Sequence, residues 1–300
     1  MGIDLQALNM LRYAYKFGDF NKTVTIGRQS LDLTEPVLRH VLQVDSKYNH
    51  EEFCEQLLKE YFHSHSVDSI DVSNYENASI VTDMNNPLPE NLRQQYDTVI
   101  DSGTLEHIYN ISQALENCSF LCKPGGQIIH MLPANNYCGH GFWQVSPELF
   151  FFLYTNENGY RDTEVFLTYI SQQHEISWYK VKKPENGERI NIYSSKGIYV
   201  FVRTVLNQKI FLHKNIQQSD YIFLWNKDNI KQKSKWELMI NKLISRHKYL
   251  NKLLTPFRLI RSLYSFYSEH KLSLRLSSAN PHLIKTNISS LLLDDEGKTN

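Results

Sequence analysis

The sequence predicts an α/β fold: a doubly wound, mostly parallel sheet with helices on both faces. Two observations predict it. Short β-branched and apolar runs alternate with helix-patterned stretches through roughly the first 155 residues, and that alternation calls for a parallel sheet covered on both sides. Several of the runs also deliver a ligand-type residue at their end, namely Gly27, Asp71, Asp83 and Asp101. In open α/β sheets, ligands sit outside the carboxyl ends of the strands.

The elements follow in order. Leu8, Leu11 and Tyr15 share one face of an N-terminal helix. Lys22 to Ile26 reads as a strand ended by Gly27. Pro36 opens a helix through Val44, and Glu51 to Phe62 gives another. Val67 to Val72 and Ser79 to Thr82 are strands; Pro87 and Pro89 then break the chain. Tyr96 to Asp101 is the fourth strand. Ile111 to Cys122 is a helix with Ile111, Ala114, Leu115 and Cys118 on one face. Lys123-Pro-Gly-Gly126 predicts a tight turn, and Gln127 to Leu132 the fifth strand. Ser146 suits the N-cap of a helix opened by Pro147. Thr163 to Tyr169 and Gly197 to Thr204 read as two late strands, paired antiparallel at the sheet edge.

After Thr204 the pattern changes. Ser234 to Leu254 carries a stripe of Trp236, Met239, Leu243 and Leu250 among lysines, and Pro256 to His270 suggests a second helix. The stretch from Leu291 is expected to be loose. Domain boundaries are therefore expected at 1–204 for a ligand-binding domain and 205–300 for a basic, mainly helical extension.

Composition bounds the function. With 300 residues, 41% hydrophobic and 21% charged, the chain is neither disordered nor collagen-like. The net charge of zero is a cancellation. Residues 206–300 hold 16 Lys+Arg and 7 Asp+Glu, 16 − 7 = +9, so the remainder carries −9. A basic amphipathic extension could pack its apolar stripe against the acidic body or a second subunit, lie on an anionic membrane surface, grip a partner, or bring a negatively charged acceptor to the site. No nucleic-acid motif accompanies it. Cys54, Cys118, Cys122 and Cys138 form neither a disulfide framework nor a zinc pattern. The N-terminus lacks signal-peptide features, and no apolar run approaches a bilayer span. A reduced, cytoplasmic location is expected, at most peripheral to a membrane.

The strand-end loops carry the chemistry. Gly27-Arg28-Gln29 follows the first strand, but G-x-G-x-x-G is missing, which argues against a nicotinamide oxidoreductase. Asp71, before Val72, can accept two ribose hydroxyls. Asp83-Met84 pairs an acid for an adenine amino group with an apolar side chain for its ring. Asp101-Ser102-Gly103 allows close approach to a ligand, and Glu106-His107 can supply acid, base or ligand.

Taken together, Asp71, Asp83 with Pro87-Leu88-Pro89, Leu105-Glu106-His107 and Lys123 to Gly126 resemble class I S-adenosylmethionine-dependent methyltransferases over about residues 20–204. The resemblance implies a seven-stranded sheet with an antiparallel last strand, and S-adenosyl-L-methionine as cofactor. It implies Asp71 and Val72 at the ribose, Asp83 and Met84 at the adenine, and Asp101, Ser102 and Gly103 along the methionine. At the first motif only Gly27 matches the family, so Arg28 or Gln29 would meet the methionyl groups.

Methyl transfer needs positioning first and sometimes a base. His107 and His140 are the candidates, the latter in a loop, Tyr137 to Trp143, whose glycines predict mobility and whose aromatics could cover an acceptor. No complete metal set is legible, because the position three before Glu106 is Gly103; His130 or His140 could add a donor. The expected function is methyl transfer to an oxygen of a small molecule or a sugar or glycan. The alternative is a non-catalytic methyltransferase-like binding domain.

Overall fold

A computed structural model describes residues 2–43, 52–169, 177–208, 216–226 and 275–293. In chain order the elements are β1 (Gly2–Ile3), α1 (Leu5–Tyr15), β2 (Lys22–Ile26), β3 (Ser30–Leu31), α2 (Glu35–Leu42), α3 (Glu55–Tyr61), β4 (Ser66–Asp71), β5 (Ile80–Val81), β6 (Tyr96–Asp101), α4 (Ile111–Leu121), β7 (Cys122–Asn135), α5 (Pro147–Leu153), β8 (Tyr160–Tyr169), β9 (Ser177–Val181), β10 (Ile198–Leu206), α6 (Ser219–Trp225), β11 (Leu283–Asn287) and α7 (Ile288–Leu293). Short 3₁₀ turns lie at Glu90–Leu92 and Leu105–His107.

The main sheet has nine strands in the order β11-β9-β8-β10-β7-β6-β2-β4-β5. The run from β5 to β7 is parallel, and β10 lies antiparallel between β7 and β8. The chain leaves β2 for β4 and β5 on one side, then returns to β6 on the other. The switch point therefore lies between β2 and β6, where an open α/β sheet offers its ligand crevice.

Both faces of the sheet are buried, as parallel sheets require. Alternate residues serve alternate faces. Val99, Ile128, Val200 and Val202 pack in one cluster with Leu115 and Cys118 of α4 and Phe150 of α5. Ile100, Ile129, Met131 and Phe201 pack in the other with Leu8 and Leu11 of α1, Leu58 of α3 and Trp178 of β9. Local chemistry sets the helix starts. The Asp4 carboxylate accepts from Ala7 N at 2.8 Å to cap α1, and Ser146 Oγ accepts from Glu148 N at 3.3 Å to cap α5 ahead of Pro147. Each such cap stabilises its helix by about 1 kcal/mol.

The structure corrects several expectations. The sheet has nine strands, not seven, because β9 and β11 extend it beyond β8. The two late strands β8 and β10 do pair antiparallel, but inside the sheet rather than at its edge. The Lys123–Gly126 turn is instead an extended run with a register irregularity against β6. Gly125 bends it at φ +86°, and a Cβ on Gly126 would stand 2.7 Å from the Asp97 carbonyl, so the strands close only over glycine. The helix expected from Glu51 begins at Glu55, since Glu52 to Cys54 hydrogen-bonds to Gln29 and Leu31. α2 ends at Leu42, where Gln43 turns left-handed at φ +54°. Leu291 to Leu293 closes α7, whose Leu291 carbonyl accepts from Lys16 Nζ. The two basic helices expected over 234–270 lie outside the described residues. No helix among the described residues is long and apolar enough to cross a membrane.

Candidate active site

The carboxyl ends of β2, β4, β6 and β7 bring most of the expected site residues to one edge. Gly27 leaves β2 at φ +72°, and its N–H donates to the Ile70 carbonyl at 2.7 Å. A Cβ there would stand 2.6 Å from Thr104 Oγ1. Thr104 Oγ1 donates to the Ile26 carbonyl at 2.7 Å, and buried Gln29 reaches both, with Nε2 2.6 Å from that carbonyl and 3.1 Å from Thr104 Oγ1. Gln29 Oε1 is buried without a hydrogen-bond partner among the described residues. Arg28 is taken up elsewhere: Nε donates to Glu55 at 2.7 Å, a second nitrogen to the Glu76 carbonyl at 2.8 Å, and its guanidinium lies over the Phe53 ring.

At the end of β4, Asp71 Oδ1 accepts from Ser73 N at 3.0 Å, and the carboxylate is half-buried beside exposed Val72. After β5, Asp83 accepts from Asn85 N, Asn85 Nδ2 and Asn86 Nδ2 at 2.8–3.0 Å, and the two Asn85 bonds, the backbone one first, hold its carboxyl below the usual value. Asn85 Oδ1 in turn accepts from Asn110 N, which ties this loop to the start of α4. Met84 turns its side chain into the core, and its carbonyl accepts from Asn117 Nδ2 at 3.0 Å.

At the end of β6, Asp101 is wholly buried. Oδ1 accepts from Thr104 N and Leu105 N, and Oδ2 lies 3.0 Å from His130 Nδ1. Ser102 Oγ reaches the Gly2 carbonyl at 3.3 Å, and Gly103 turns at φ +86°. His130 Nε2 is 2.6 Å from the Tyr154 hydroxyl, so this residue, weighed as a metal donor, is already engaged on both nitrogens.

Glu106, His107 and His140 come together, with their ligand atoms within 4.8 Å of one another. His140 Nε2 is 3.5 Å and His107 Nε2 3.9 Å from Glu106 Oε1, and the two rings meet edge to face. Glu106 has no accessible surface, and among the described residues neither of its carboxylate oxygens has a hydrogen-bond partner. Burial, then the nearby Asp101 charge, pushes its carboxyl up to about 8. Burial and the neighbouring His140 lower the His107 pKa, which favours a neutral imidazole.

The His140 loop is anchored where its glycines suggested mobility. Phe142 N and Trp143 N both donate to the Glu106 carbonyl, at 2.7 and 3.2 Å, and Trp143 Nε1 donates to the Ile108 carbonyl at 2.9 Å. Gly141, at φ +72°, permits the contact, because a Cβ there would lie 2.7 Å from Glu106 Cγ. Phe142 stays exposed over this edge. Sequence reasoning flagged Glu106 beside His107 without placing it in the site, and it passed over Thr104 and Gly2. The Glu-His adjacency was the available signal; the meeting with His140 depends on neighbouring strands. A cleft of about 430 Å³ opens at the same end of β7, with Asn135, Asn136, Ser146, Asn191 and Ser194 in its wall.

The S-adenosylmethionine that the resemblance implies would need an acceptor for its ribose hydroxyls. Asp71 Oδ1 has one donor, and Oδ2 accepts no hydrogen bond among the described residues. At the methionine end, Thr104 and Gln29 already use the Ile26 carbonyl.

No protein-family model matches the chain, and no curated protein matches it. Solved structures similar to it include an S-adenosylmethionine-dependent methyltransferase from Thermotoga maritima (13% identity, TM-score 0.38), covering 67% of this chain and 88% of that one. Another is from Archaeoglobus fulgidus (14%, TM-score 0.37), covering 66% and 93%. A third is from Aquifex aeolicus (12%, TM-score 0.34), covering 68% and 94%.

Proposed function

We propose that the chain is an S-adenosylmethionine-dependent methyltransferase acting on an oxygen of a small molecule, sugar or glycan. The observation that carries this reading is the juxtaposition, at one edge of the sheet, of a half-buried ribose-type carboxylate, Asp71, with the acid–base group Glu106, His107 and His140. When bound, the cofactor supplies a methyl group on a sulfonium, already activated for transfer. Asp71 and Val72 hold the adenosyl end; Gly27, Gln29 and the Asp101–Gly103 backbone line the other. His107, whose lowered pKa favours a neutral imidazole, or His140 accepts the acceptor's proton as a general base. Amide and hydroxyl groups around the neighbouring cleft suit a hydroxylated acceptor.

A second reading has its own observation. Thr104 and Gln29 close the space over Gly27, as in a domain that binds a partner rather than a cofactor. Calorimetric titration with S-adenosylmethionine separates the two. Binding at a single site, weakened about 10–100-fold by Asp71→Ala through loss of bonds to a charged acceptor, supports the enzyme. No heat from the wild type supports the binding domain. His140→Ala is expected to retain cofactor binding and lose turnover.

A further inference from the structure

We propose that Glu106, His107 and His140 form a binding site for a first-row divalent transition metal. This goes beyond the methyltransferase reading and does not depend on it; with an ion bound, the two imidazoles are its ligands and the base role given them above passes to solvent.

The first observation is a carboxylate without a partner. Glu106 has no accessible surface, and its two oxygens and His140 Nε2 are buried atoms lacking hydrogen bonds among the described residues. Buried polar atoms are nearly always satisfied, and a carboxylate left bare is costly. Three ligand-type groups within 4.8 Å of one another, one of them a bare buried carboxylate, fit a cation site.

The second is spacing. Ligand atoms bound about 2.0–2.1 Å from a tetrahedral ion stand roughly 3.3–3.5 Å apart. His140 Nε2 lies 3.5 Å from Glu106 Oε1 and His107 Nε2 3.9 Å, long for hydrogen bonds and close to the separation of two ligands on one ion. Two imidazoles with one carboxylate select zinc, iron, cobalt or manganese over magnesium or calcium.

The third is that the site is built. His107 follows Glu106 in the turn after β6. His140 is delivered from the turn after β7 by two backbone bonds onto the Glu106 carbonyl, across a contact that only Gly141 permits. Both imidazoles remain partly exposed, with side chains 48% and 35% accessible. The exposed parts of the imidazoles give water or an acceptor oxygen a route from solvent to the ion's remaining positions. There the ion would act as a Lewis acid; a bound hydroxyl would lose its proton to solvent, with no change in oxidation state.

The test uses the full chain, stripped with chelator and dialysed. Zinc is titrated by equilibrium dialysis with elemental analysis, and cobalt by visible absorption. The expected result is one equivalent bound, with a cobalt spectrum of four- or five-coordinate nitrogen–oxygen ligation. His140→Ala, on an exposed loop, should weaken binding more than tenfold, since even outer partners of a ligand are worth 10–100-fold. Glu106→Gln should do the same. His63→Ala removes an exposed imidazole paired with Asp19 and should leave the site intact. Circular dichroism confirms the fold of each variant. Equal zinc binding by wild type and folded His140→Ala, or no binding by the wild type, overturns the proposal. Metal binding without any response to S-adenosylmethionine would leave this site standing and sink the methyltransferase reading.

Discussion

Asp101 Oδ2 lies 3.0 Å from His130 Nδ1, across the pairing of β6 with β7, and neither side chain has accessible surface. The other Asp101 oxygen caps the turn that presents Glu106. One buried carboxylate thus joins the sheet to the site. Asp101→Ala is expected to cost about 3–5 kcal/mol in urea unfolding, the range for breaking a buried pair. Asp101→Asn keeps an oxygen for Thr104 N and Leu105 N and should cost clearly less. Equal losses for the two variants would refute this assignment.

Gly27→Ala places a methyl 2.6 Å from Thr104 Oγ1 at a backbone angle of φ +72°. Two penalties are expected, a steric one and a left-handed backbone one of about 1–2 kcal/mol. Adding Thr104→Ala to Gly27→Ala should relieve the first and leave the second. A double-mutant cycle on melting temperature measures the coupling, and strict additivity would show that the contact is not felt.

The same threonine gates the methionine end in the methyltransferase reading. Thr104→Ala alone frees the Ile26 carbonyl from one of its two side-chain donors. Calorimetry should show S-adenosylmethionine binding tighter by up to about tenfold, the worth of one exchanged hydrogen bond. Weaker binding would mean that Thr104 is a cofactor contact.

Asp4 gives a pH signature. Burial is the leading cause that raises its carboxyl above the ordinary value of 3.8, against the backbone bonds from Ala7 and Gln6. The folded chain therefore holds this proton to a higher pH than the unfolded chain does. Its contribution to stability falls as pH rises from the unfolded value through the folded one, and is level above that. Asp4→Asn retains the cap and removes the charge. The variant should be more stable than wild type at pH 7, with the gain shrinking as the pH is lowered toward 3. A gain that is constant across this range would be the contrary result.

Leu283 is 4% exposed in the sheet core, opposite Val181 in the pairing of β11 with β9. Leu283→Ala should cost about 2–5 kcal/mol and lower the main unfolding transition. If only a separate minor transition moved, residues 283–293 would belong to an independent unit.

Much of the sheet was legible because alternation records two buried faces. Val99-Ile100 and Ile128-Ile129 each send one residue to either side. β9 and β11 were not legible. β11 reads Leu-Ile-Lys-Thr-Asn with Leu283 its one fully buried residue, so its identity comes from the neighbouring strand rather than from its own pattern. The turn expected at Lys123–Gly126 failed for a related reason: Gly126 serves a close approach to Asp97, which sequence cannot distinguish from a reversal. Asp71 and the Glu106-His107 pair were readable as strand-end chemistry. Their meeting with His140 was not, since it depends on β6 and β7 lying side by side with Asp101 opposite His130.

The late arrival of β11 bears on the birth of the molecule. β9 starts at Ser177 and β11 at Leu283, 283 − 177 = 106 residues later. At roughly 5–20 residues per second, a ribosome leaves β9 waiting on the order of 5–20 s for its outer partner. Throughout that interval the nascent chain offers an open strand edge flanked by Trp178 and Val181, the kind of surface on which neighbouring chains aggregate. Translation speed through the lysine-rich segment thus sets how long the newborn sheet must be shielded.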